Sequence, residues 1–208
     1  KETEKKTEQI AIIGAGPAGL SAAWDLALEG YPVTIFEALP VAGGMLAVGI
    51  PEYRLPNDIL RKEIQDIEDL GVDIRLNTPI DDIETLFTDG YKAVFIATGA
   101  HRGTKMGIPG EDLPGVYDAI EFLREVNLGR PMEVGKRVAV IGGGNSAIDS
   151  ARVSLRKGAQ EVHVFYRREE KDMPAIGEEI EAAKEEGIKF HFLTSPTKVI
   201  DKAGKAAG

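Results

Sequence analysis

Cysteine does not occur in this chain of 208 residues. Its absence excludes, within these residues, a disulfide, a redox dithiol and a cysteine-ligated iron–sulfur cluster. No apolar run approaches the roughly 20 residues needed to cross a bilayer. Histidine occurs only at positions 101, 163 and 191, without the spacing of metal ligands. His163 and His191 fall in strand patterns and read as structural. No Ser/His/Asp arrangement and no spaced carboxylates support hydrolysis, so no catalytic side chain and no metal site is named. The 25 basic residues are outnumbered by 34 acidic ones, and the formal charge of -9 argues against a nucleic-acid surface. Residues 1–9 are a charged lead-in that lacks the apolar segment of a signal peptide. A cytoplasmic protein is the expectation.

What the chain has instead is glycine in a repeated pattern. The segment Ile10-Ala-Ile-Ile-Gly-Ala-Gly-Pro-Ala-Gly-Leu20 is an apolar strand, a glycine turn and a helix start. The segment Val138-Ala-Val-Ile-Gly-Gly-Gly-Asn-Ser-Ala-Ile-Asp149 has the same layout. Sliding one onto the other puts Gly14 on Gly142, Gly16 on Gly144, Gly19 on Ala147 and Gly30 on Gly158. With one extra residue in the second copy, the strand at 33–37 falls on the one at 162–166. A strand–helix–strand unit with such a turn is a dinucleotide-binding fingerprint, which tolerates Ala at the third glycine position. Two units suggest two dinucleotides, with electron transfer between them.

In the first unit, Gly14 allows the tight bend, Gly16 the approach of a pyrophosphate, and Gly19 close helix–strand packing. Pro17 and Ala18 lie in the same turn. Leu20, Ala23, Trp24 and Ala27 follow at helical spacing, and Trp24 reads as core packing. Glu37 ends the second strand, where an acid accepts hydrogen bonds from a ribose and repels a 2′-phosphate. This site suits FAD or NAD better than NADP.

Residues 38–56 hold too much Gly and Pro for a helix, yet are too apolar for an ordinary solvated loop. A planar apolar ring lying on Gly43, Gly44, Met45 and Leu46 accounts for both features, with Arg54 reaching a phosphate or ring oxygen. The alternative is a packed loop with Arg54 in a surface ion pair. Asn57 reads as the N-cap of the next helix. The strand at 91–97 ends in Ala97-Thr98-Gly99, small residues at the carboxyl edge of the sheet, where ligands sit in open α/β folds. Residues 101–114 read as a crossover between domains.

In the second unit Gly142, Gly144, Asn145 and Ser146 form the turn and the helix start. The acid at the strand end is replaced by Tyr166, Arg167 and Arg168. Two guanidinium groups can pair with a 2′-phosphate, which points to NADP. The alternative is that they pair with neighbouring Glu169 and Glu170. The charged helix near 176–186 reads as solvent-facing.

Together these residues resemble the small subunit of NADPH-dependent glutamate synthase and its relatives. Those include the flavin domain of dihydropyrimidine dehydrogenase, electron-bifurcating ferredoxin:NADP oxidoreductases and heterodisulfide-reductase-type flavoproteins. The resemblance spans 10–196. It is carried by the two glycine turns, Gly43-Gly-Met-Leu46, Gly49-Ile-Pro51, Arg54-Leu-Pro56, Ala97-Thr-Gly99, Gly107-Ile-Pro-Gly-Glu111, Tyr166-Arg-Arg-Glu169 and Met173-Pro-Ala175. Asn145 stands where many relatives carry Asp. The resemblance implies an α/β fold of two Rossmann-like dinucleotide-binding domains, both incomplete here. Residues 10–102 would be the N-terminal part of an FAD-binding domain and 103–200 a partial NADP-binding domain. Residues 201–208 would be a linker or frayed end. It further implies hydride transfer between NADPH and FAD. Electrons would pass to an iron–sulfur domain or subunit, or to a larger glutamate-synthase-like or ferredoxin-type partner. In the family a cysteine-rich domain precedes the flavin domain and a later segment completes it. With neither present, the chain reads as a fragment. Two other readings stay open: a thioredoxin-reductase-like flavoenzyme, and a non-catalytic nucleotide-binding or docking module.

Overall fold

The glycine repeats become two separate parallel sheets in a computed structural model that describes residues 5–206. The extreme ends, 1–4 and 207–208, lie outside the described residues, and with them part of the expected lead-in and chain end. The chain divides into two units, Lys1–Ala100 and His101–Gly208.

In the first unit β1 (Ile10–Ile13), β2 (Val33–Phe36), β3 (Asp73–Arg75) and β4 (Ala93–Ile96) form a sheet of order β3-β2-β1-β4. All pairings are parallel, with Ile10 opposite both Val33 and Ala93. β1 is apolar throughout because both its faces are covered. On one side Ile10, Ile12, Val33 and Ile35 pack with Leu20 and Ala23 of α1 (Pro17–Leu28) and with Leu60, Ile64 and Ile67 of α3 (Asn57–Glu68). On the other, Ala11, Ile13 and Phe36 meet Leu86 of α4 (Glu84–Thr88) and Tyr91. Each fully buried aliphatic side chain contributes about 1.5–3 kcal/mol. This locks the register that brings the carboxyl ends of β1, β2 and β4 together.

Three local expectations differ from what is found in this unit. A short helix, α2 (Met45–Val48), forms inside 38–56 because the glycines cluster before it rather than within it. Asn57 is the first helical residue and Pro56 takes the cap position, where proline's fixed φ suits the turn into the helix. Trp24 is 38% exposed. The inward side of α1 is made of Gly19, Leu20 and Ala23, and the small Gly19 and Ala23 bring the helix close to the strands, with the indole turned outward.

In the second unit β5 (Arg137–Ile141), β6 (Glu161–Phe165) and β7 (Lys189–His191) are parallel in that order. Val162 and Val164 pack against Ile148 and Ala151 of α6 (Asn145–Arg156) and Ile180 and Ala183 of α7 (Gly177–Glu185). α5 (Ala119–Asn127) is capped by Asp118, whose carboxylate accepts from the amides of Ile120 and Glu121. Its Phe122 and Leu123 pack on Val153. His163 Nδ1 lies 2.8 Å from His191 Nε2, and both rings stack with Phe165. Over 201–206, where a linker or frayed end is expected, β8 (Asp201–Lys202) and β9 (Lys205–Ala206) pair antiparallel. The Ala206 amide donates to the Pro114 carbonyl. Among the described residues no helix is long and apolar enough to cross a membrane.

Candidate functional site

The first site is built where β1 hands over to α1. Gly14 has φ +107, and a Cβ there would lie 2.4 Å from the Ala97 carbonyl oxygen and 3.3 Å from Thr98 Cα. The sequence therefore needs glycine at 14 for backbone direction and for closeness to the end of β4. Gly19 is held as tightly, since a Cβ there would stand 2.0 Å from the Gly14 carbonyl oxygen. The Gly14 amide donates to the Phe36 carbonyl, anchoring the turn to β2.

Glu37 extends that anchor. It is only 7% exposed, and its two carboxylate oxygens accept from the amides of Ala15, at 2.7 Å, and Leu39, at 2.8 Å. A carboxylate accepts about four hydrogen bonds, so capacity remains for a ribose hydroxyl. The loop after β2 then folds back: the Gly43 amide donates to the Ala15 carbonyl, and Gly44, at φ +54, lies against Gly16. Met45 and Leu46 follow on α2, half-buried, and Arg54 sits half-buried in the turn beyond it. The fold thus gathers Gly14, Gly16, Gly19, Glu37, Gly43, Gly44, Ala97 and Thr98 around one turn. Pro17 and Ala18 are exposed at the start of α1, and Gly99 is exposed at the end of β4.

α1 has Gly16 at its cap position, with no side-chain cap and no acid in its first turn. α6 has Gly144 at the cap in the same way. The contrast is α5, whose Asp118 satisfies two amides. Helix starts left uncapped beside a glycine turn offer their amides and positive dipole end to an anion.

The second site repeats the first in outline. The Gly142 amide donates to the Phe165 carbonyl, and a Cβ on Gly142 would lie 3.3 Å from Ala147 Cβ. Nothing stands within 4 Å of a Cβ on Gly144, so the space above the helix start is open. Ser146 is half-buried beside it. Asn145 is engaged elsewhere: its Oδ1 accepts from the Ile176 amide at 2.9 Å. Arg167 and Arg168 are both exposed just past β6. They do not pair with the adjacent acids, which are taken by lysines: Glu169 by Lys171 and Glu170 by Lys184. Among the described residues neither guanidinium forms an ion pair.

One contact was not legible in the sequence. A Cβ on Gly143 would lie 2.6 Å from the Tyr166 ring. The middle glycine of the run, Gly143, is the available signal, because the fingerprint asks for glycine only at its first, third and sixth positions.

A charged bridge supports this site. Arg152, 8% exposed on α6, pairs with Glu179 and Glu186, and Arg156 also reaches Glu186. Hydrogen bonds from Arg156 outweigh the desolvation of Glu186 and, with Arg152, lower its carboxyl to about 2. The expectation that the helix near 176–186 faces solvent is corrected: Ile180 and Ala183 are buried, and these acids tie α7 to α6.

The pyridine nucleotide-disulphide oxidoreductase family profile matches residues 8–207. The NADP(+)-dependent formate dehydrogenase subunit beta of Moorella thermoacetica is 55% identical over 206 residues, covering 97% of this chain and 29% of that protein. The glutamate synthase (NADPH) small chain of Escherichia coli is 36% identical over 223 residues, covering 100% and 46%. This chain therefore spans less than half the length of these curated relatives. Among solved structures, Mycobacterium tuberculosis FprA in complex with NADPH aligns with a TM-score of 0.80 at 22% identity, over 97% of this chain and 62% of that one. That likeness shows the fold: α/β units of the FAD/NAD(P)-binding type.

Proposed function

The chain belongs to the pyridine nucleotide-disulphide oxidoreductase family, and from that premise we propose that it is part of an FAD-dependent oxidoreductase transferring hydride between NADPH and flavin. FAD belongs to the first unit and NADPH to the second. When bound, the two cofactors supply the redox chemistry; the chain's residues bind and orient them. The first unit fits a dinucleotide pyrophosphate on its own geometry: Gly14 and Gly19 leave no room for a Cβ, and the start of α1 is uncapped. Gly14, Gly16, Pro17, Ala18 and Gly19 would surround the pyrophosphate and Glu37 would hold the ribose. Gly43, Gly44, Met45, Leu46, Arg54 and the Ala97–Gly99 end of β4 would lie along the ribityl and ring side. In the second unit Gly142, Gly144, Asn145 and Ser146 would serve the pyrophosphate, Asn145 through its backbone, since its carbonyl oxygen is engaged. Arg167 and Arg168 would hold the 2′-phosphate.

The observation that carries the reading is the exchange at one position of the repeat. A buried acid ends β2, and two arginines free of ion pairs among the described residues follow β6. The lack of cysteine removes a disulfide from these residues, so electrons would leave to a group outside them. An iron–sulfur domain or subunit is the partner we propose, in the cytoplasm.

The test uses the full-length protein under anaerobic conditions. It should be yellow, and NADPH should bleach it. A colourless protein that binds its partner unchanged would point to a docking platform instead. Replacing Arg167 and Arg168 together by Ala should weaken NADPH by ~2–4 kcal/mol and NADH far less, as charge-assisted bonds are lost. Equal weakening of both nucleotides would remove the 2′-phosphate assignment.

A further inference from the structure

The two units share a device that their glycine fingerprints do not describe. In each, the residue just after the second strand covers the middle residue of the turn. In the first it is Glu37, whose carboxylate accepts from the Ala15 amide. In the second it is Tyr166, whose ring lies on Gly143. In each, the following loop also returns to the carbonyl of that middle residue: Gly43 donates to Ala15 and Ala175 donates to Gly143. The same latch is thus built from a carboxylate in one copy and a phenol in the other.

The second latch also holds the segment that carries the arginines. The Tyr166 hydroxyl donates to the Asp172 carbonyl at 2.7 Å, closing the loop over Arg167 and Arg168. The Tyr166 amide donates to the His191 carbonyl, its carbonyl accepts from Thr194, and the Arg168 carbonyl accepts from Leu193. Further on, the Ile176 amide donates to Asn145 Oδ1 at the start of α6. The backbone is therefore held at Tyr166 and at Arg168, on either side of Arg167, and both arginine side chains remain exposed.

We propose that Tyr166 is a positioning residue for cofactor choice, latching the Tyr166–Ile176 loop onto Gly143 so that Arg167 and Arg168 meet the 2′-phosphate; this rests on the assignment of NADPH to this unit. The exchange of Glu37's counterpart for Tyr166 then has two effects. It removes the acid that would repel a 2′-phosphate, and it supplies a rigid ring against which the arginine segment is set. Gly143 is glycine because the ring occupies the place of its side chain. It has no left-handed backbone requirement of its own. Met173-Pro-Ala175, which the fingerprint leaves unexplained, is the returning segment of the latch.

The test is calorimetric titration of the full-length protein with NADP+ and with NAD+. Tyr166→Phe keeps the ring on Gly143 and removes only the bond to Asp172. Gly143→Ala keeps the backbone and pushes the ring away. Each should weaken NADP+ roughly 3–10-fold, the worth of one positioned hydrogen bond, while NAD+ changes by less than about twofold. Flavin absorbance per chain should be unchanged, which checks the fold. Equal weakening of both nucleotides would make Tyr166 a packing residue and overturn the proposal, as would unchanged binding of both. The Arg167→Ala, Arg168→Ala double variant separates the two levels. If it abolishes the preference for NADP+ and Tyr166→Phe leaves that preference unchanged, the latch alone is wrong. If the double variant also leaves the preference intact, the NADPH assignment falls and the latch with it.

Discussion

Gly14 and Gly71 show how differently two glycines of positive φ constrain the chain. Gly71 follows α3 at φ +94 with nothing within 4 Å of where a Cβ would stand, so only backbone direction calls for glycine there. Gly14, at φ +107, adds the carbonyl oxygen of Ala97 at 2.4 Å. Gly71→Ala should cost about 1–2 kcal/mol, the penalty of a left-handed L-residue. Gly14→Ala should cost ~2–4 kcal/mol, since rigid backbone must also move. Urea unfolding of both variants checks the order; equal costs would mean that β4 is not held against the turn. This residue was legible in the sequence because the turn's need for glycine is local. The need for glycine at 143 was not. It depends on a tyrosine from the next strand, and an aromatic at a strand end reads as ordinary core.

At the level of elements, the apolar parallel strands were legible; the β8–β9 pair and the surfaces of helices were not. Runs such as Ile10–Ile13, and Val33–Phe36 with Thr34 as its one polar residue, mark strands buried on both faces, and their burial follows from the run itself. The charged helix α7 carries no equivalent signal. Alternating charge describes a solvated face and a bridge to a neighbouring helix equally well; only the fold brings Arg152 and Arg156 to Glu186. Trp24 failed for a related reason, since helical spacing cannot say whether the inward face has room for an indole. The α6–α7 bridge predicts an acid dependence. Glu186 falls from its ordinary 4.5 to about 2 in the folded protein, so the bridge is fully stabilising above pH 4.5. Protons then bind the unfolded chain first, and the contribution is lost as pH falls toward 2. Its size is on the order of 1–3 kcal/mol. Arg156→Ala removes the largest cause of the shift and should flatten stability against pH between about 4.5 and 2 in urea titrations. An unchanged slope would show that the two helices do not depend on this carboxylate.

At the scale of the whole chain, one strand–turn–helix–strand plan is used twice, each time with its own core, Ile12 and Ile35 in one unit and Val162 and Val164 in the other. Because every residue assigned to flavin lies in the first unit and every residue assigned to NADPH in the second, the two sites should be separable by substitution. Glu37→Gln is the sharpest probe of the first. The carboxylate accepts two backbone amides, and an amide side chain must turn its NH2 group toward one of those donors. A buried donor facing a donor costs about 1–3 kcal/mol, and it falls on the turn that would hold the pyrophosphate and on the group that would hold the ribose. Flavin absorbance per chain after dialysis should therefore drop by roughly tenfold, while NADP+ measured by calorimetry binds as before. The Arg167→Ala, Arg168→Ala pair should do the reverse, sparing flavin and losing NADP+. If Glu37→Gln kept its flavin but lost NADP+, the assignment of cofactors to the two units would be inverted, and the acid at the end of β2 would have to be read as a support for the turn alone.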